Sequence, residues 1–193
     1  MERKGEATKH QLAECFKELM LKGSFDKITV RMITEQAGVI RPTFYNYFQD
    51  KYEVMEWLLW EDVFKEVSEL MEQERGMESL KLLFRKFEED KTYYEKVFEV
   101  TGQNSFEEML YGQIFNMEEI LVKHHPLKHL SNMPHVDEKV FLEFHAISLV
   151  NGLKYWLIRE SKNISAGDAM EFYQYMMSHS ILDLLDIENT EKK

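Results

Sequence analysis

The stretch from Ile28 to Lys51, ITVRMITEQAGVIRPTFYNYFQDK, decides the fold of this 193-residue chain. Thr29 stands where an N-cap belongs, and it predicts a helix over residues 30–37. Gly38 follows, where the chain must turn with a positive φ that costs glycine nothing. Pro42 lies in the first turn of a second short helix, residues 41–47, where its missing N–H is not needed. Two short helices around a glycine turn, the second opening on an arginine, have the layout of a helix-turn-helix. In that motif the second helix enters a DNA major groove. Ile28, Ile33, Ala37, Val39, Phe44 and Phe48 supply the small core that fixes the angle between the two helices.

Upstream, Leu12, Cys15, Phe16, Leu19 and Met20 fall on one helical stripe and predict a first helix over 7–21, ended by Gly23. Downstream, capping residues and spacing predict helices over 51–74, 78–89, 93–101, 106–124, 137–160 and 166–185. Ser105 and Ser165 open capping boxes, and Gly102 stops a helix. The segment 124–135 carries Pro126 and Pro134 and reads as irregular. Strand-like alternation is nearly absent. The expected fold is all-α with about nine helices: an N-terminal three-helix unit over 1–50 and a larger helical unit over 51–193.

Charge argues against nucleic acid until the chain is divided. The net charge is -11 and the pI about 5.2. Residues 1–50 hold eight basic against seven acidic side chains, and the remaining 143 hold sixteen against twenty-eight. The acidity belongs to the second unit, which would repel DNA from the wrong faces. Hydrophobic content of 44% excludes a disordered chain. No run approaches the ~20 apolar residues of a membrane span, and the start has no signal-peptide core. The lone Cys15 excludes an internal disulfide framework, so a cytoplasmic protein is expected.

Chemistry follows from position. Arg41 and Thr43 open the second short helix and are placed to read base edges; arginine forks onto guanine O6 and N7. Tyr45, Asn46 and Tyr47 are expected on its exposed side, with groups suited to phosphates and bases. Thr29 and Arg31 lie at the start of the preceding helix, and Lys51 opens the next one, all within reach of a phosphate backbone. The same pattern also fits a helical hairpin with an amphipathic tip.

At these residues the chain resembles the TetR family of bacterial transcription regulators. The likeness covers about residues 8–60 and rests on the Gly-Val turn, Thr-Phe-Tyr-x-Tyr-Phe and Asp-Lys. It implies that Thr29, Arg31, Arg41, Pro42, Thr43, Tyr45, Asn46, Tyr47 and Lys51 lie at the DNA. Two positions depart from the family pattern. Ile40 replaces a polar cap, and Thr34 stands where Ala is usual. Tyr93-Tyr94-Glu-Lys-Val-Phe, Gly102-Gln-Asn-Ser-Phe106 and Asn151-Gly-Leu-Lys-Tyr-Trp-Leu157 resemble regulators related to the activator of dihydroxyacetone-kinase operons. That likeness implies a helical domain for dimerisation and signal reception. The signal would be a small-molecule effector or a protein partner resembling a kinase subunit.

A two-fold operator requires a two-fold protein. The expected dimer face is Phe141, Phe144, Ser148, Gly152, Tyr155 and Trp156 on one helix. Tyr173, Met176, Met177, Ile181 and Leu184 complete it from the last. Both stripes would equally serve an internal core. The second unit's nineteen aromatics and nine Met residues fit a plain core or an apolar pocket, with Gln103 and Asn104 at a helix junction. His124, His125, His129 and His135 form a cluster without metal-motif spacing, and Cys15 reads as a buried thiol. No nucleophile motif or phosphate-binding loop is present, so no enzyme and no cofactor is expected. The rival reading is a helical protein-interaction module that has kept this fold without specific DNA binding.

Overall fold

A computed structural model describes residues 2–125, 127, 136–160, 162–180 and 183, with side chains from Gly5 onward. Among these residues there is no strand, and the helices form nine rods. The first three are α1 (Glu2–Lys22), α2 (Val30–Gln36) and α3 (Arg41–Tyr45), with a 3-10 turn at Phe25–Lys27. The fourth rod is α4 (Lys51–Leu59) continuing through a π turn (Trp60–Phe64) into α5 (Lys65–Glu72). Then come α6 (Gly76–Glu89), α7 (Lys91–Val97) and α8 (Phe106–His124). The last two rods are α9 (Glu138–Tyr155), which ends in a second π turn (Trp156–Glu160), and α10 (Ala166–Ser178).

Most of the boundaries expected from the sequence stand, because the capping residues do what their chemistry suggests. Asp50 Oδ1 accepts from the N–H groups of Tyr52 and Glu53 and opens α4. Ser105, Asp137 and Ser165 cap α8, α9 and α10 in the same way. Three boundaries differ by four residues or more. First, α1 begins five residues early, at Glu2. Second, α7 stops at Val97 rather than near Thr101. Third, α10 stops at Ser178 and does not run on to Leu185; His179 is extended, at φ −130° and ψ 139°. Ser178 Oγ donates to the carbonyl of Gln174 or of Tyr175, and the His179 ring also bonds Tyr175 O. These local bonds compete with another helical turn. Ile181, Leu184 and Leu185 lie outside the described residues.

One continuous core runs from Leu12 in α1 to Tyr173 in α10. Leu12, Ala13, Phe16 and Met20 are the buried stripe of α1, with Cys15 and Leu19 half-buried beside it. That stripe meets Ile33, Ala37, Phe44 and Phe48 on one side and α4 and α7 on the other. A single ammonium ties these parts together. Lys17 Nζ lies 3.0 Å from Asp62 Oδ2 in the π turn and 2.7 Å from Asp90 Oδ2 at the head of α7. Burial pulls its proton affinity down, but the two carboxylates outweigh burial and raise it. α1 is thereby tied to the π turn and to the head of α7.

Candidate nucleic-acid interface

The turn between α2 and α3 is closed by backbone bonds that only a left-handed residue permits. Gly38 has φ +65°. Its N–H reaches Glu35 O at 3.3 Å, and Val39 N–H reaches Thr34 O at 3.0 Å. These are the paired bonds of a Schellman motif, with Val39 packed on the core as its apolar contact. At the other end of α2, Thr29 Oγ1 accepts from Met32 N–H at 3.3 Å. Gln11 in α1 donates to Ala37 O at 3.0 Å and secures one of the last carbonyls of α2. Thr34 is buried with its hydroxyl satisfied, donating back to Val30 O or Arg31 O at 3.0 Å.

These bonds set α3 as a short helix anchored by the fully buried Phe44. Ile40 precedes it in extended conformation, 70% exposed, with a side chain that can cap nothing. Pro42 is exposed in the first turn. Arg41 is exposed, and its guanidinium lies over Tyr45, which is itself 48% exposed. Thr43 is half-buried in α3, while Asn46 is exposed just past its end. Thr29 and Arg31 are exposed at the start of α2, with Arg31 Nε 2.7 Å from Glu35 Oε1. The outward set that the structure brings together is therefore Thr29, Arg31, Arg41, Pro42, Tyr45 and Asn46.

Two expected contacts turn inward. Tyr47 was expected to be exposed but is half-buried against the core. Because α3 ends at Tyr45, Tyr47 falls in the following turn and faces α1; a Cβ at Gly5 would lie 3.6 Å from its hydroxyl. Lys51 is also half-buried. Its Nζ donates to Phe25 O at 2.7 Å and to Ile28 O at 3.0 Å. Sequence reasoning could not see this, because the acceptors are backbone atoms more than twenty residues upstream.

In the body, Phe141, Phe144, Tyr155, Met176 and Met177 are exposed, and Ser148 is half-exposed. Trp156 and Tyr173 are corrections. Both are buried in their own chain against Phe84, with ring centres 5.6 and 6.2 Å away. Trp156 Nε1 donates to Ile164 O at 2.9 Å. Gly152 is approached by the same Tyr173, whose ring edge would lie 3.2 Å from an added Cβ. The outer face of α9 and α10 instead includes Ile147, Ile158, Phe172 and Tyr175, which the sequence reading missed. A cleft of about 320 Å³ opens between α9 and α10 beside this face, floored by Phe84, Trp156 and Tyr173.

Beneath the face lies a polar chain across three helices. Glu118 of α8 is buried, and its Oε1 is 2.6 Å from His145 Nδ1 of α9. His145 Nε2 is 3.4 Å from Tyr173 OH of α10. The bond to Glu118 outweighs burial and raises the His145 pKa. Burial, helped by the Glu118 charge, raises that of Tyr173. Among the described residues no group of His, Cys, Asp or Glu is arranged to hold a metal ion. His124 and His125 are exposed there, while His129 and His135 lie outside them. Cys15 is half-buried, and burial raises its thiol pKa. Gln103 and Asn104 are exposed between α7 and α8. No helix among the described residues is long and apolar enough to cross a membrane.

Residues 17–57 match the family described as bacterial regulatory proteins, tetR family, and residues 74–178 match the transcriptional regulator C-terminal region. The HTH-type dhaKLM operon transcriptional activator DhaS of Lactococcus lactis subsp. lactis (strain IL1403) is 32% identical over 91 residues. The match covers 47% of this chain and 49% of that protein, so it spans about half the length of the relative. A solved structure of a dihydroxyacetone kinase operon activator DhaS is 25% identical with a TM-score of 0.59, covering 94% of this chain and 96% of that one. Two further structures share the fold. A putative TetR-family regulator from Syntrophomonas wolfei str. Goettingen has TM-score 0.65 at 21% identity, covering 94% of this chain and 98% of that one. A TetR regulator from Streptococcus agalactiae 2603V has TM-score 0.64 at 20% identity, covering 91% and 96%.

Proposed function

Because the chain belongs to the TetR family of transcriptional regulators, we propose that it binds a palindromic operator as a homodimer and is controlled through its body. Residues 1–50 are the DNA-binding head, and 51–193 sense the signal and dimerise. The observation that carries this reading is Arg41, exposed at the first turn of a helix whose entry angle is fixed by the Gly38 turn. Arg41 and Thr43 read bases, while Thr29, Arg31, Pro42, Tyr45 and Asn46 meet the sugar-phosphate backbone and flanking edges.

The exposed apolar face of α9 and α10 supports the dimer, since a contiguous patch of this kind marks an interaction surface. Two such faces stacked about a two-fold axis make a four-helix interface. The recognition helices must then sit about one DNA turn apart, ~34–36 Å. An effector, either a small molecule or a kinase-subunit-like protein, acts by binding one spacing better than another. The relative's role at a dihydroxyacetone kinase operon makes genes of that kind the first place to seek the operator. All of this belongs in the cytoplasm, beside the chromosome.

Selection of genomic fragments by the purified protein, followed by titration at low salt, tests the reading. A two-fold symmetric site bound by one dimer is the expected result. Absence of sequence-specific duplex binding would leave only the interaction-module reading.

A further inference from the structure

Lys51 opens α4 next to the Asp50 cap, where a cation is not needed by the helix. Its side chain turns back instead and grips the chain just ahead of α2. Two of its three N–H groups are taken by Phe25 O and Ile28 O. The ammonium also stands 4.1 Å from the centre of the Phe25 ring. Phe25 is buried and packed edge-on against Tyr52, with ring centres 4.7 Å apart, so the acceptor is held from both sides. Ile28 is buried too, and the next residue is Thr29, the cap of α2.

We infer that Lys51 is a positioning residue: it fixes the α2–α3 unit on α4, and it serves DNA binding through geometry rather than by neutralising a phosphate. Bonds from an ammonium to carbonyls are charge-assisted. Moving Nζ onto a phosphate and away from both would take this partner from Ile28 O, while Phe25 O would keep its bond from the Ile28 N–H. Burial also lowers the proton affinity of Lys51, against the pull of Asp26 and Asp50. The two carbonyl bonds leave one N–H of the ammonium uncommitted, so the clamp is its principal engagement. This inference rests on the DNA-binding reading for its functional part.

Salt dependence separates the two roles, because each neutralised phosphate contributes about 0.9 to the log–log slope of affinity against salt. The operator would be titrated with the wild type, Lys51→Met and Lys51→Arg, each at a concentration of active protein fixed by stoichiometric binding. Lys51→Met is expected to lose about tenfold in affinity at every salt concentration, about 1.4 kcal/mol, with an unchanged slope. Lys51→Arg, which can also donate to two carbonyls, should restore most of it. A slope reduced by about one, or an unchanged affinity, overturns the inference. A loss of folded fraction alone would leave the affinity of the active protein untouched, and so counts against it. If Lys51→Met does not fold, the wild-type operator complex decides by NMR of the lysine ammonium groups. Couplings from Lys51 Nζ to carbonyl carbons support the clamp, and a coupling to phosphorus overturns it. Should the wild type bind no duplex, the regulator reading fails separately. Faster amide exchange in α2 of folded Lys51→Met then upholds the clamp, and equal exchange sinks it.

Discussion

Arg41 lies along its own helix against Tyr45: Nε and Nη2 stand 3.2 and 2.9 Å from the phenol oxygen. The guanidinium carbon is 5.5 Å from the ring centre. The i,i+4 pair holds a long side chain in one orientation before DNA arrives, which reduces the ordering cost of binding. Arg41→Ala should cost about 1–3 kcal/mol and relax preference at one base pair. Tyr45→Phe keeps the ring and removes the acceptor, so it should weaken binding less and leave the same base preferred. Operator selection with both variants checks this; an unchanged preference for Arg41→Ala would remove its base-reading role.

Gly38→Ala isolates the turn. No atom lies within 4 Å of the added methyl, so the cost is the positive φ alone. We expect about 1–2 kcal/mol. That corresponds to a fall in Tm of roughly 2–8 °C for a chain of this length, measurable by thermal denaturation. A loss near zero would mean that the turn is not held left-handed in solution.

His145 makes stability depend on pH. Its folded pKa is raised by Glu118 above the ordinary value of about 6.5. The stabilising contribution is therefore fully present below that value and is lost as pH rises through the folded pKa. Denaturant midpoints should fall between neutral and mildly alkaline pH, and His145→Gln should flatten the fall. An identical pH profile in the variant would show that another group is responsible.

Phe144 is 72% exposed on α9. Phe144→Asp should weaken the proposed dimer by about 2 kcal/mol or more while leaving the helical content of the protomer intact. Sedimentation equilibrium and circular dichroism together check this. Phe84→Ala, by contrast, should destabilise the fold itself by about 3–5 kcal/mol, because that ring packs beneath Trp156 and Tyr173.

Lys17→Met removes the tie between head and body. Asp62 and Asp90 remain partly solvated, with side chains 29% and 45% exposed, so the loss should be moderate, about 1–3 kcal/mol. Hydrogen exchange should rise in α1 and α7 ahead of the rest of the core. A uniform rise would mean that Lys17 serves overall stability only.

The helix-turn-helix was legible because its signals are local. Thr29, Gly38 and Pro42 each impose a backbone geometry regardless of their surroundings. Contacts between distant residues were not legible. Lys51 points inward because of two carbonyls that no side-chain pattern reveals, and Glu118 meets His145 across twenty-seven positions. The rotation of α9 was ambiguous for a different reason. It carries apolar residues nearly all round, so Trp156 could be taken for surface and Ile147 for core. The π turns were also hidden, since no residue type marks the inserted position.

The π turn at Trp60–Phe64 gives the rod that joins head and body one residue more than ordinary turns would use. Were those residues to relax into a plain α-helix, everything beyond them would rotate by about 100° and advance ~1.5 Å. Val67 and Met71, buried on α5, and Asp62 at Lys17 hold that rotation back. Loosening the α5 face would let that difference appear as torsion about the rod axis rather than as a bend.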